Sequence, residues 1–173
     1  MFTKTKIHTM KYSVFILFLF VNGFVFAQNE TDYNKISIKT DADCKAAEPK
    51  VIEAANLVIG NPLHVNDKSV VSARSFIIGW MSATADFSFT LDSKITKMSD
   101  DNNILLMGLF MACEAKFALE NRDKAKVEKE LLKGSYSLLA EYCSNEKNGV
   151  DMSKAVKKLV EAYKAGKIEE YLK

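Results

Sequence analysis

From Asp41 onward, apolar residues return at helical intervals almost to the end of the chain. Cys44, Ala47, Val51, Ala54, Ala55 and Val58 fall three or four residues apart, as one buried helix face requires. Gly60-Asn61-Pro62 is a strong stop after them. Pro49 lies inside this stretch and removes a backbone donor. The regular turns are therefore expected to start near Glu48-Pro49, after a looser turn. A second helix is expected from Asn66-Asp67. Val70, Ile77, Met81 and Thr84 mark one line along it, and Ala73, Trp80 and Phe87 mark another. Arg74 is the one charge between Lys68 and Asp86. A helix apolar nearly all round is a buried one.

Beyond Asp86 two periods compete. Phe87, Phe89 and Leu91 alternate as in a strand, whereas Phe87, Leu91, Ile95 and Met98 keep helical spacing. No other segment offers a strand to pair with, so the expectation is a helix with a bend. Ser99-Asp100-Asp101 reads as the cap of a third helix, which carries ten residues without a polar side chain from Ile104 to Cys113. Asn121-Arg122-Asp123 is a tight connection. A fourth helix follows from Lys124 to about Ser144, with Val127, Leu131, Leu138 and Tyr142 facing inward. A fifth starts at Asp151 with Ala155, Val156, Leu159, Val160 and Tyr163 inside, and Gly166 ends it before a short tail. The expected fold is all-α: a single-domain bundle of about five mostly antiparallel helices over residues 41–173, with the second and third at its centre.

The N-terminal part follows a different pattern. Lys4, Lys6 and Lys11 precede an apolar run from Val14 to Val21, and Val25 and Ala27 supply small residues at its exit. A basic start, a short apolar middle and a small-residue exit make a signal peptide, cut after Ala27. The run is too short and broken for a membrane span, which takes about 20 apolar residues. Residues 1–27 are thus expected to leave, residues 28–40 to form a flexible polar leader, and the product to be secreted or periplasmic. The formal charge of +2 then changes sign, because three of the 24 basic side chains go with the signal and all 22 acidic ones stay. A nearly neutral chain has no field with which to gather nucleic acid.

Helix directions turn the pattern into contacts. If short loops make successive long helices antiparallel, the third helix rises toward the end where the first one stops. Arg74 and Glu114 then reach equal depth on the two most apolar helices and are expected to form a buried ion pair, since a lone buried charge is costly. Cys44 and Cys143 fall roughly 24 and 30 Å below that end, which makes them the expected disulfide. Cys113 is left as a buried thiol. The three cysteines do not share one depth, so no metal site is expected from them.

Candidate chemistry is sparse. After the cut, His64 is the single histidine, placed in a loop, and a site of two or three histidines within one chain is excluded. The chain has no phosphate-cradling glycine loop, H-E-x-x-H, G-x-S-x-G or C-x-x-C. Trp80, Asp86, Phe87 and Phe89 together could form an apolar ligand pocket with one polar anchor. Leu139, Tyr142, Gly149, Val150, Asp151, Lys154, Ala155, Ala162 and Gly166 stand in an order that resembles one repeat of Sel1-like or tetratricopeptide proteins. No second copy occurs upstream, and a solenoid needs about three. The leading expectation is an exported, non-enzymatic helical protein that needs no cofactor and binds a partner protein or a small apolar ligand. The alternatives are an enzyme of unfamiliar type using Asp86, Glu114 or Arg74, and a repeat-like assembly protein.

Overall fold

A computed structural model describes residues 31–99 and 104–173. Within these residues the chain is helical and contains no strand. Its α-helices are α1 (Asp41–Ile59), α2 (Lys68–Ala83), α3 (Ser93–Ser99), α4 (Ile104–Glu120), α5 (Arg122–Ala125), α6 (Glu128–Ser144), α7 (Lys154–Lys164) and α8 (Ile168–Leu172). An all-helical bundle matches the expected class, with more and shorter helices than five. The segment expected to be a signal peptide lies outside the described residues. No described helix is long and apolar enough to cross a membrane.

α1 begins with a reciprocal cap: the Thr40 side chain accepts from the Asp43 amide, and the Asp43 carboxylate accepts from the Thr40 amide. The helix then runs through Pro49 without a break. Lys45 and Pro49 are both exposed, so water can serve the carbonyl that proline leaves unbonded. The first turn is therefore regular, contrary to the looser start expected.

The leader is not loose from residue 31 onward. Tyr33 is buried and stacks on Phe76 with ring centroids 5.5 Å apart, and its hydroxyl donates to Glu53. Ile36 and Ile38 pack on the core.

The larger departure follows α2. Thr84 turns extended, with its amide on the Trp80 carbonyl, and no helix forms until Asp92 caps α3 by accepting from the Lys94 and Ile95 amides. The alternation near Phe87 was the true signal. Phe87 and Phe89 turn inward while Ser88 and Thr90 face out. The stretch needs no partner strand, because its exposed edge can bond to water. Together with α3 it carries the chain back toward the end where α2 began: a Cβ placed on Gly108 of α4 would lie 3.7 Å from Arg74.

α4 therefore runs in the opposite sense to the one expected. Lys116 bonds to Asn56 at 2.8 Å, and Arg122, just past α4, to Glu48 at 2.7 Å. Numbers rise on one helix as they fall on the other, so α4 is antiparallel to α1 and parallel to α2. It is the central helix and packs on α1, α2, α3, α5 and α6. α6 then returns to the end where α1 stops, where the Tyr142 hydroxyl donates to the Asn61 carbonyl at 2.7 Å. The fourth helix expected from Lys124 is split, and Val127 at the break is 54% exposed rather than inward. Gly166 ends α7 in a left-handed conformation (φ 69°), and the expected tail becomes α8 with Ile168 buried.

Candidate functional site

The sequence pointed first to Trp80. Its side chain is fully buried, and its indole N–H donates to the Cys44 carbonyl at 3.1 Å. Phe87 and Phe89 lie 6.2 and 5.9 Å from it and 6.0 Å from each other, all tilted. Such tilted contacts are a favourable way to pack rings, and here they fill the space that an apolar ligand would need. A recess of about 420 Å³ opens beside them, lined by Asp86, Phe87, Ser88, Thr90, Lys126 and Glu128 among others. Trp80 and Phe89 do not line it. The Asp86 carboxylate accepts from Arg122 at 2.9 Å, and the same guanidinium holds Glu48 at 2.7 Å and lies 5.1 Å over the Phe87 ring. The expected anchor is thus already paired, with a guanidinium that it shares with Glu48.

The expected ion pair does not form. Arg74 donates through Nη2 to the Leu63 carbonyl at 3.0 Å, and its Nε has no partner. Glu114 is fully buried, and neither carboxyl oxygen has a hydrogen-bond partner. The reason is the direction of α4. Arg74 lies beside Gly108, at the start of α4, and Glu114 comes more than a turn further along. Burial, reinforced by the Asp92 carboxylate, pushes the Glu114 carboxyl up to about 8, and the nearby Thr90 amide offsets this in part. Glu114 is therefore mostly protonated at neutral pH. Asp92, by contrast, accepts from the Tyr136 hydroxyl at 2.5 Å as well as capping α3.

The expected Cys44–Cys143 disulfide is corrected on the same grounds. Cys44 sits in the first turn of α1 and Cys143 in the last turn of α6, at opposite ends of the bundle, with α4 packed between the two helices. All three cysteines are buried free thiols. Burial pushes the Cys143 thiol up to about 12 and raises Cys44 and Cys113 as well. A protonated buried thiol is a poor nucleophile.

Sequence reading missed a groove of about 420 Å³ between α3, the start of α7, and α8. Lys94, Lys97, Ser153, Lys154, Ala155, Lys158 and Tyr171 line it, and none of these is acidic. Lys94 is held in place, donating to the Leu172 carbonyl at 3.1 Å and standing 5.9 Å over the Tyr171 ring. Lys97, Lys154 and Lys158 are exposed. The available signal was two helical pairs, Lys94 with Lys97 and Lys154 with Lys158, at the spacings that share a helix face. Nothing in the sequence says that those two faces meet.

No family model matches the chain, and no similar curated protein or solved structure was found.

Proposed function

We propose that the chain is exported and acts as a non-enzymatic helical binding protein, taking its ligand in the groove between α3, α7 and α8. The basic start, the short apolar run and the exit at Ala27 support export. The observation that carries the binding reading is the groove itself: it is open, it falls within the usual size of small-molecule sites, and it combines an aromatic wall with several polar groups. The groups that a catalytic reading needs lie apart. Asp86 is paired at the surface, Glu114 is sealed in the interior, and Arg74 reaches toward the Leu63 loop.

The test uses the purified protein and a small-molecule extract of the medium in which its source grows, with native mass spectrometry as the readout. Ala155→Trp fills the groove. Wild type is expected to retain a bound small molecule that Ala155→Trp does not. Equal retention by both proteins would contradict the reading.

A further inference from the structure

We infer that the ligand of this groove carries a phosphoryl group, as a phosphomonoester or a diphosphate. The inference rests on the groove reading above and names the chemistry of its occupant. Three exposed ammonium groups, Lys97, Lys154 and Lys158, border one recess, and the fixed Lys94 adds a fourth. They come from α3 and α7, so no single helix face accounts for them. Apart from the signal segment the chain is close to neutral in sum, so this concentration of one sign is local. An anion in the recess would meet these cations and no acidic side chain among its lining residues. A carboxylate supplies one charge and two acceptor oxygens. A phosphomonoester supplies up to two charges and three acceptor oxygens, which suits a recess lined by several lysines better.

The local sequence of α7 points the same way. Helix N-termini favour acidic side chains, yet α7 has none in its first turn and places Lys154 at its first position. The Ser153 hydroxyl accepts from the Val156 amide, which leaves the first two amides of the helix, those of Lys154 and Ala155, without an intrahelical acceptor. Tyr171 supplies a flat, partly apolar wall beside the cations, suited to the body of the ligand rather than its charge.

The experiment titrates the protein with inorganic pyrophosphate and with orthophosphate by calorimetry at low and moderate salt. In parallel it measures sedimentation with phosphatidylcholine vesicles, with and without phosphatidic acid. Lys97→Gln/Lys154→Gln/Lys158→Gln is compared with a charge-matched control, Lys39→Gln/Lys45→Gln/Lys124→Gln. Both triples keep exposed side chains, so both are expected to fold. The groove triple is expected to weaken pyrophosphate binding at least tenfold, while the control changes it less than twofold. Saturable binding of free pyrophosphate with no preference for phosphatidic acid assigns the phosphoryl group to a soluble ligand. Binding only to phosphatidic acid vesicles, lost in the groove triple, assigns it to a lipid headgroup. Equal losses in the two triples, or no binding of any of these probes, would overturn the inference. If a neutral molecule is retained by wild type and lost in Ala155→Trp, the phosphoryl inference fails while the groove reading stands. If Ala155→Trp retains everything, the groove reading itself fails.

Discussion

The Trp80 end and the α3–α7–α8 groove use aromatic and charged side chains in opposite ways. At the Trp80 end, three rings close on one another, and Arg122 is shared by two carboxylates and lies over Phe87. The recess beside them carries both signs of charge, Asp86 and Glu128 against Lys126. In the groove, one ring lines an open recess and the cations outnumber any local counter-charge among its described lining residues. The aromatic cluster seen in the sequence is packing, whereas the unbalanced charge is assembled only by the fold.

Substitutions can break this contrast. The largest effect is expected from Trp80→Ala, which empties the most voluminous fully buried side chain. A loss of about 3–5 kcal/mol is expected, read as a fall in the denaturation midpoint. A loss below about 1 kcal/mol would mean that the aromatic end is not the packed region described.

Glu114 gives the next effect. Its carboxyl has an ordinary value of 4.5 when the chain is unfolded and about 8 when folded, so between these values the folded state holds more protons. Its contribution to stability is present below pH 4.5 and is lost as pH rises through 8. Between pH 5 and pH 9 wild type is expected to lose on the order of 3 kcal/mol, and Glu114→Gln much less. Urea melts of both proteins at the two pH values check this. Parallel losses would show that Glu114 is hydrated or paired after all.

Arg122→Ala should cost only about 1 kcal/mol, because the arginine is 43% exposed and its pairs are screened. Added salt should narrow the gap between wild type and variant.

The smallest effect has the opposite sign. Lys154→Glu places an acid at the first position of α7 and should stabilise by about 0.3–1 kcal/mol, while weakening pyrophosphate binding. A variant more stable but less able to bind separates the groove from the packed end, where every change is expected to destabilise.

Much of the fold was legible. Helical spacing gave α1, α2, α4, α6 and α7, and Gly60-Asn61-Pro62 and Gly166 marked true ends. What failed was one choice of period at Phe87. Two alternating aromatics fit both patterns, and the absence of a partner strand tipped the choice toward a helix. A lone extended crossing needs no partner where one edge faces water. That choice reversed α4, and with it went the depths of Glu114 and Cys143, so the ion pair and the disulfide were misplaced together. The groove was illegible for a different reason: its lysines lie as far apart as residues 94 and 158, and only the return of α7 beside α3 unites them.

The most direct measurement is a two-dimensional amide and indole NMR spectrum recorded during a pyrophosphate titration. The chain has one tryptophan, so its indole resonance reports the packed end by itself. The account predicts saturable shifts at Lys97, Lys154, Ala155, Lys158 and Tyr171, with the Trp80 indole unmoved. Movement of the Trp80 indole with the groove amides at rest would contradict it.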